Sequence, residues 1–332
     1  MMKVSELGEF GLIDLLARIV ADSQEELAAR RRVISNIGDD TAAWKVKDSV
    51  QLATVDSMVQ DVHFTLDTIT WEELGWKALA INLSDIAAMG GAPEYALIAL
   101  GLPPDTEAED VGKMYEGMLA LANYHRVALI GGNMCGSPVI SITITVTGSS
   151  PDGRILRRDT AKPGDLIAVT GYTGSAAAGL AMLKERLQFG AETATYLRTA
   201  FTRPHPRIAE GQLLRELGVT TAIDTSDGLL ADLGHICKAS NVSAHIDSTF
   251  IPIHPAVTSR FREEALGLAL SGGEDYELLF TAPLEVINSV KDAESCPVTV
   301  IGEIIGDNAG EVLVLDDNGR RISLESCGWN HF

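Results

Sequence analysis

The amino-acid sequence predicts an α+β protein with two domains. Its 332 residues are enough for two hydrophobic cores, and strand and helix patterns mix in both halves without a regular βαβ rhythm. Between residues 148 and 165, the segment GSSPDGRILRRDTAKPGD is rich in turn-forming residues and locally basic, which is typical of a domain boundary. We therefore place an N-terminal α+β domain at residues 1–148 and a C-terminal α+β domain at residues 149–332.

The first half contains clear local signals for helices and strands. Apolar residues at helical spacing predict a helix over residues 10–20, and VQLATVD predicts a strand over residues 50–56 that ends on an acid. A long buried helix is predicted after Thr70, because Thr70 can cap its N-terminus and Glu73 follows three positions later. Further elements in this half are a strand at 94–103, a helix at 109–125 and strands at 126–134 and 139–150.

The second half opens with a strand, a glycine-rich turn and a helix over residues 166–183. After a helical stretch interrupted by prolines, TAIDTSDGLLADLGHICKAS at residues 221–240 begins as a strand and continues as a helix. Toward the C-terminus, SGGEDYELLFTAP (271–283) and VTVIGEII (298–305) predict a strand pair. This half too is therefore typical of an α+β fold.

Composition and charge exclude several classes of function. The net charge of -20 argues against a nucleic acid bound through its phosphates. The four cysteines form no CxxC pair, which favours a reducing compartment over a disulfide framework or a zinc site. The sequence shows neither a secretory signal nor an apolar run near the roughly 20 residues that cross a bilayer. We therefore expect a cytoplasmic protein without nucleic-acid or membrane partners.

Acidic residues recur where apolar segments meet glycine turns. Asp85 lies inside the apolar stretch AINLSDIAAMGG, where a carboxylate is costly unless a hydrogen-bond donor, a cation or a metal pairs with it. Any one of these acids alone is more typical of a turn or a helix cap than of a metal ligand. Their joint occurrence, without paired His or Cys, favours Mg²⁺ over zinc. The other acids of this kind are Asp39, Asp40, Asp56, Asp224, Asp227, Glu274, Asp275 and Glu277.

Acids that gather at one site repel one another until metal ions bind, and the bound ions can hold a polyphosphate. This favours ATP and phosphoryl transfer, although the sequence has no GxxxxGK[ST] motif and GYTGSAAAG (171–179) is not GxGxxG. Gly171 and Gly174 either cradle a phosphate or permit tight strand-to-helix packing, and packing is the favoured interpretation. Arg158 lies either on a solvated hairpin or within reach of the ATP phosphates.

The motifs taken together indicate a family. GEFGLI, IGDD, KALAINLSDIAAMGG, DTSDGL, GGEDYEL and GWNHF follow one another from about residue 8 to the C-terminus. In this combination the sequence resembles the thiamine-monophosphate kinases, which share a superfamily with aminoimidazole ribonucleotide synthetase, selenophosphate synthetase and a hydrogenase-maturation protein. The resemblance implies direct, in-line transfer of the ATP γ-phosphoryl group to thiamine monophosphate with several Mg²⁺ ions. It also implies a homodimer whose N-terminal domains build a β-barrel across the interface, with ATP in a cleft beside it.

The resemblance also assigns roles to individual residues. The implied catalytic residues are Asp56, Asp85, Asp227 and Arg158. The implied metal ligands are Asp39, Thr54, Val55 (through its backbone), Asp56, Asp85, Asn133, Asp224 and Asp227. The implied ATP contacts are Tyr115, Gly132, Asn133, Arg158 and Ser226. The implied substrate contacts are His63, Glu274 and Trp329, the last by stacking on the thiamine rings.

One departure from the family pattern concerns a predicted metal ligand. Asn133 in GGNM stands where the family usually has an Asp, so it offers an amide oxygen but no negative charge. We expect weaker occupancy of one metal position, or a changed metal count, rather than loss of activity. Two alternatives to the kinase remain open, namely a related ATP-dependent enzyme with another acceptor and a nucleotide-binding regulator without catalysis. The large set of acids counts against the regulator, because binding alone has little need for so many metal ligands.

Overall fold

The computed structural model of the protein describes residues 11, 32–35, 39–47, 49–150, 152–293, 296–306, 310–322 and 328. Within these residues, twelve strands form two six-stranded sheets, and nine α-helices accompany them. One sheet comes from each half of the chain, and helices and strands alternate irregularly in both. The predicted α+β class is confirmed.

The first sheet is almost entirely antiparallel. Its strands are β1 (Val33–Ser35), β2 (Ala42–Val46), β3 (Ser49–Val59), β4 (Ala92–Leu102), β5 (Ala128–Gly136) and β6 (Ser141–Ser150). They lie in the order β1-β2-β3-β6-β4-β5, and only β4 and β5 run parallel. A parallel pair needs a crossover connection, and a helix between β4 and β5 supplies it.

Two helices cover one face of this sheet, α1 (Trp71–Ala88) and α2 (Ala108–His125). α1 begins at the predicted capping box, where Thr70 accepts a hydrogen bond from the backbone of Glu73 and the Glu73 carboxylate accepts one from the backbone of Thr70. The reciprocal bonds satisfy backbone donors that the first helical turn leaves free. The start of α1 is therefore fixed by local sequence, as predicted.

The other face of the first sheet has no helix among the described residues. Because side chains alternate along a strand, β4 buries Ala96 and Ile98 under the helices and presents Tyr95 and Leu97 to the opposite side, 48% and 43% exposed. Val55 of β3, 58% exposed, lies in the same cross-strand row as Leu97. We call this surface the open sheet face.

The second sheet is formed by the C-terminal half. Its strands are β7 (Leu166–Thr170), β8 (Thr221–Asp224), β9 (Ser243–Asp247), β10 (Leu278–Ala282), β11 (Val298–Ile305) and β12 (Val312–Leu315). Their order is β12-β9-β11-β7-β10-β8, and only β12 and β9 run parallel. The helices of this half are α3 (Ser175–Lys184), α4 (Ala191–Thr202), α5 (Ile208–Glu216), α6 (Leu229–Ser240), α7 (Pro255–Phe261), α8 (Ala265–Ser271) and α9 (Leu284–Asp292).

Helix α1 packs against elements of both halves. It contacts β3 and β6 of the first sheet and α5 and β8 of the second half. The approach to α5 is so close that a Cβ on Gly211 would lie 2.1 Å from the carbonyl oxygen of Ala87. Residues from both halves therefore share one hydrophobic core, with α1 at its centre.

Most predicted elements are present, with three exceptions. The predicted strand pair is wrong as a pair, because β7 lies between β10 and β11 and a helix rather than a hairpin connects them. The short strands β1, β2, β9 and β12 were not predicted. The predicted helix at residues 10–20 lies outside the described residues except for residue 11.

No helix of the described segments combines the length and apolar character that crossing a membrane requires.

Candidate active site

Three carboxylates from distant parts of the chain meet where the two halves join. Asp40 precedes β2, Asp85 lies near the C-terminal end of α1, and Asp224 ends β8. One carboxylate oxygen from each lies within 4.8 Å of the others. These three residues form the acid cluster, in which Asp85 and Asp224 of the predicted metal ligands meet Asp40.

Neighbouring polar groups orient the acid cluster. The buried hydroxyl of Thr54 on β3 donates a hydrogen bond to Asp85. The backbone N–H of Asp56 donates to Asn82 of α1 at 3.0 Å, which ties β3 to the helix turn before Asp85. Alternate residues of β3 thus place Thr54 and Asp56 toward α1, while Val55 lies on the open sheet face with its side chain exposed.

Asp224 is the most unusual member of the cluster. Its residue is 1% exposed, and neither carboxylate oxygen has a hydrogen-bond partner among the described groups, although Ser84 lies close by without bonding geometry. Burial raises the pKa of Asp224 to about 8, and the charge of Asp40 acts in the same direction. A buried carboxylate without a donor is destabilising, so the fold keeps Asp224 at a cost.

Asp85 also has a carboxyl group whose pKa is raised by its surroundings. Burial raises the pKa of its carboxyl well above the ordinary value, and the charges of Asp56, Asp224 and Asp40 add to the rise. The hydrogen bond from Thr54 offsets only part of this effect. Neighbouring carboxylates repel one another when all are ionised, and such a group is typical of a site that binds a cation.

Arg158 brings a positive charge to the edge of the cluster. Its guanidinium donates two hydrogen bonds to the Asp40 carboxylate, and its Nε lies 3.7 Å from Asp39 Oδ1. Asp39 also accepts from Ser35 Oγ at 2.7 Å. Burial raises the pKa of Asp39, and the adjacent Asp40 adds to the rise. Arg158 thus compensates Asp40 and Asp39 in part, and its charge lowers the pKa of Asp224 without offsetting the effect of burial.

A second group of possible metal ligands lies on the adjoining turn and helix. One ligand atom each from Asp227, Asp232 and His235 lies within 4.8 Å of the others. Asp232 is 1% exposed and accepts a hydrogen bond from Gly228 N at 3.0 Å, and burial raises its pKa well above the ordinary value. Burial lowers the pKa of His235 to about 4. The second group adjoins the acid cluster through Asp227, three residues after Asp224.

The donor set of the acid cluster fits Mg²⁺. Hard cations take oxygen ligands from carboxylates, hydroxyls and carbonyls, and Asp40, Asp85, Asp224 and Thr54 offer only oxygen. The unpartnered oxygens of Asp224 are the clearest sign, because a metal ion would supply the missing partner. Asp39, in contrast, has the nearby partners Ser35 and Arg158.

The predicted substrate residues come from both halves of the chain. His63 follows β3, and its Nδ1 accepts a hydrogen bond from Val59 N at 3.0 Å. Glu274 lies in the loop before β10, and its Oε1 lies 2.8 Å from Nζ of the buried Lys77. Trp329 lies outside the described residues.

The predicted nucleotide residues fall into two places. Ser226 lies in the turn between Asp224 and Asp227, next to the acid cluster. Gly132 and Asn133 lie on the edge strand β5, which β6 and β4 separate from β3. At the usual strand spacing this amounts to roughly 14 Å. The register places Asn133 in the row of Ala99, on the open sheet face.

Tyr115 lies on α2, the helix that precedes β5. It is partly buried against the core, and burial raises the pKa of its phenol. Within one chain, Tyr115 therefore belongs to the same region as β5.

The glycine turn after β7 is a packing feature. A Cβ on Gly174 would lie 2.7 Å from the backbone nitrogen of Ala269. The backbone N–H groups of Gly174 and Ala176 donate to the Asp275 carboxylate at 2.6 and 3.0 Å. Because Asp275 already satisfies the N-terminus of α3, the geometry supports the packing interpretation over a phosphate cradle.

Sequence reasoning did not single out three residues that the fold brings to this region, Asp232, His235 and Lys77, and it listed Asp40 among the acids without assigning it a metal. Asp40 was visible in IGDD, but sequence alone did not distinguish it from Asp39. Asp232 and His235 have the i, i+3 spacing that places side chains on one helix face, which is a usable but weak signal. Lys77 carries no signal beyond a cation at a helix position that is otherwise apolar.

Comparison with known proteins adds independent findings. The sequence matches the family "AIR synthase related protein, N-terminal domain" over residues 38–150 and the corresponding C-terminal domain over residues 162–315. It is 42% identical to thiamine-monophosphate kinase of Escherichia coli (strain K12), with 98% of each chain covered. It is 39% identical to thiamine-monophosphate kinase of Bacillus subtilis (strain 168), covering 89% of this chain and 93% of that one.

Solved structures agree with these relatives. The structure described as AaThiL complexed with AMPPCP and TMP superimposes with a TM-score of 0.86 at 33% identity, covering 100% of this chain and 99% of the other. The thiamine monophosphate kinase of Aquifex aeolicus gives a TM-score of 0.80 at 32% identity, covering 97% and 100%. A hydrogenase maturation protein, HypE in complex with ATP, shares the fold with a TM-score of 0.69 at 18% identity, covering 98% and 99%.

Proposed function

Because the chain belongs to the thiamine-monophosphate kinase family, we propose that it phosphorylates thiamine monophosphate with ATP and forms thiamine diphosphate and ADP. One observation carries the proposal at the level of chemistry. The buried carboxylate of Asp224 has no hydrogen-bond partner among the described groups and lies beside Asp40 and Asp85. Such a site favours hard cations, and phosphoryl transfer from ATP requires them.

The proposed cofactor is Mg²⁺, held by acids of the acid cluster and the adjoining turns. When bound, Mg²⁺ neutralises charge on the phosphate oxygens and on the clustered carboxylates. The proposed ligands there are Asp39, Thr54, the backbone of Val55, Asp56, Asp85, Asp224 and Asp227. Asp40 joins this set because the fold, unlike the sequence, brings it to Asp85 and Asp224. Asn133, which lies on β5 roughly 14 Å from β3, is proposed for a separate metal position.

Residues of this chain would mainly bind and orient the reacting groups. The Arg158 guanidinium carries five N–H donors, so it can remain paired with Asp40 and still donate to a phosphate oxygen. Asp56, Asp85 and Asp227 would hold Mg²⁺, and the bound ion would neutralise and position the triphosphate. We propose direct transfer without a covalent phosphoenzyme, because positioning and charge neutralisation account for most of the catalysis of phosphoryl transfer.

We place the nucleotide and the acceptor on different residues. The proposed nucleotide contacts are Tyr115, Gly132, Asn133, Arg158 and Ser226. The proposed acceptor contacts are His63, Glu274 and Trp329. His63 and Glu274 come from opposite halves of the chain, which suits a cleft between the halves.

The proposed assembly is a homodimer joined through the open sheet face. Tyr95, Leu97 and Val55 expose apolar side chains there, and no described helix covers them. A contiguous apolar surface of this kind is typical of a protein interface. Pairing two such faces would create the β-barrel of the family. Measuring the native mass in solution tests whether the protein is a dimer.

We also propose a cytoplasmic location.

Product identification is the direct test of the activity. The protein is incubated with ATP, MgCl₂ and thiamine monophosphate, and we expect one thiamine diphosphate and one ADP per turnover, with no product when a chelator removes Mg²⁺. Turnover of an aminoimidazole precursor but not of thiamine monophosphate would favour the related enzyme. Tight binding of MgATP with no product from either acceptor would favour the regulator.

A further inference from the structure

A buried lysine connects the first half of the chain to the loop that carries Glu274. Lys77 of α1 has a side chain that is 1% exposed, and its Nζ lies 2.8 Å from Glu274 Oε1. The ammonium also lies 3.6 Å from the centre of the Phe201 ring on α4. A buried ammonium is costly unless paired, so the carboxylate and the ring are the contacts that permit Lys77 at this position.

The backbone of the same loop is held from the other side. The backbone N–H of Glu274 donates to the carbonyl of Ser226 at 2.8 Å, and Glu274 has a φ of +70°. A Cβ at Gly273 would lie 2.4 Å from that same carbonyl oxygen, so the approach requires glycine. The loop therefore rests on the turn that joins Asp224 to Asp227, while its Glu274 side chain is fixed by α1.

Helix α1 also carries Asp85, two turns beyond Lys77 and about 12 Å along the helix axis. One rigid element thus holds both an acid of the acid cluster and the cation that orients Glu274. Stability alone does not explain the lysine, because a buried ion pair is often no more stabilising than apolar residues of similar volume. The Glu274 side chain remains 30% exposed, so its carboxylate is both fixed and accessible.

We propose that Lys77 is a positioning residue that fixes the Glu274 carboxylate toward the acceptor substrate. This inference rests on the proposed function, which places Glu274 among the acceptor contacts. Lys77 itself is too buried to touch a substrate, so it acts through Glu274, while the ring of Phe201 helps to hold the ammonium in place. The acceptor carries a cationic thiazolium ring, which a held carboxylate attracts more strongly than a mobile one because no ordering entropy is lost on binding.

The test is the separation of the two Michaelis constants in Lys77→Met, which keeps the length and apolar body of the side chain. We expect the KM for thiamine monophosphate to rise roughly tenfold and the KM for ATP to change less than twofold. Glu274→Gln should raise the same constant, and the double variant should be no worse than Glu274→Gln alone, because Lys77 acts through that carboxylate. Additive effects, equal rises in both constants, or no rise in a folded variant would overturn the proposal.

A matched control removes another cation from an ion pair on the same helix. Arg198 pairs with Glu73 of α1 at 2.6 Å, so Arg198→Met should lower the melting temperature and leave the KM for thiamine monophosphate unchanged. A rise in that KM would mean that any lost ion pair on α1 has this effect, and the proposal would fail.

If Lys77→Met does not fold, Lys77→Gln is tested in its place, because the glutamine amide keeps a hydrogen-bond donor for Glu274. We then expect a rise of roughly threefold in the acceptor KM alone, and its absence would count against the inference. Failure of the two proposals can be distinguished. A wild-type protein that forms no thiamine diphosphate refutes the proposed function, whereas an active wild type with an unaffected Lys77 variant refutes only the role of Lys77.

Discussion

Two groups of buried acids in this protein look alike in the sequence and differ in the fold. In the acid cluster, Asp224 has no hydrogen-bond partner among the described groups, and Asp85 receives one from Thr54 while it faces other acids. In the GGEDYEL loop, Asp275 accepts from backbone N–H groups of α3 and Glu277 accepts from Arg207. Both groups follow or adjoin glycine turns.

The difference in hydrogen-bond partners distinguishes acids that stabilise the fold from acids that are suited to binding a ligand. Glu277 is 7% exposed and accepts two hydrogen bonds of 2.6 Å from Arg207 and one of 2.7 Å from Thr170. It connects α5 to the second sheet and needs nothing further. Asp224 is as buried and has no such partner, so the fold is less stable for containing it. Substitutions in the two groups should therefore have opposite consequences for stability and activity.

The largest effect is expected for Asp85→Asn. The amide can still accept the hydrogen bond from Thr54, but it removes a negative charge from the proposed metal site, so turnover should fall about 10³-fold. The melting temperature of the metal-free protein should stay equal or rise, because repulsion with Asp224 and Asp56 is relieved. Product formation and thermal unfolding measure the two effects. Collapse of the fold, or turnover within tenfold of wild type, would contradict a metal role.

Glu277→Gln should produce the reverse pattern. Removing the charge that pairs with Arg207 leaves a largely buried guanidinium with only the more distant Glu210 carboxylate, 3.7 Å away, and the free energy of unfolding should fall by about 3 kcal/mol. Denaturant unfolding measures the loss, and both Michaelis constants of the folded protein should remain near wild type. As a control, Glu109→Gln breaks an exposed pair with Lys113 on α2 and should leave stability nearly unchanged. If Glu277→Gln lost turnover but kept its stability, the proposed division into structural acids and metal-binding acids would be wrong.

The pH dependence of stability should distinguish Asp224 from an ordinary carboxylate. Its pKa is raised to about 8 in the folded protein against an ordinary 3.8, so the folded state binds the proton more tightly than the unfolded state. The contribution of this bound proton to the free energy of unfolding is complete below about pH 4 and is lost as the pH rises through 8. Without Mg²⁺, the melting temperature of wild type should therefore fall more steeply with pH between 5 and 8 than that of Asp224→Asn.

Added Mg²⁺ should reduce the gap between wild type and Asp224→Asn at pH 8. The ion binds the ionised carboxylate in the folded state only, so it stabilises wild type by linkage. If the melting temperatures of the two proteins change in parallel with pH, both with and without Mg²⁺, then the pKa of Asp224 is not raised and Asp224 is not a metal ligand.

The smallest effect is expected for Asn133→Asp on β5. An added carboxylate at this position should lower the Mg²⁺ concentration needed for half-maximal activity by roughly threefold, with little change in maximal turnover. Initial rates across a Mg²⁺ titration measure it. An unchanged Mg²⁺ dependence would show that position 133 does not contact a metal ion, in keeping with the distance between β5 and the acid cluster within one chain.

Much of the fold could be predicted because its signals are local. The capping box of Thr70 and Glu73 fixed the start of α1, and the alternation of β-branched residues in SITITVTGSS indicated β6. The motif set also predicted the kinase family, which the relatives confirm. The sheet order was beyond such reasoning, because the insertion of β7 between β10 and β11 depends on contacts between residues more than a hundred positions apart.

The order of amino acids shows that several acids lie at the ends of elements predicted to be buried. It does not show which of these acids meet. Folding brings Asp40 to Asp85 and Asp224, and it gives Asp275 a helix N-terminus and Glu277 an arginine as partners. The reason is physical: the cost of a buried carboxylate depends on the donors and charges within a few ångströms of it, and packing brings these together from distant parts of the chain.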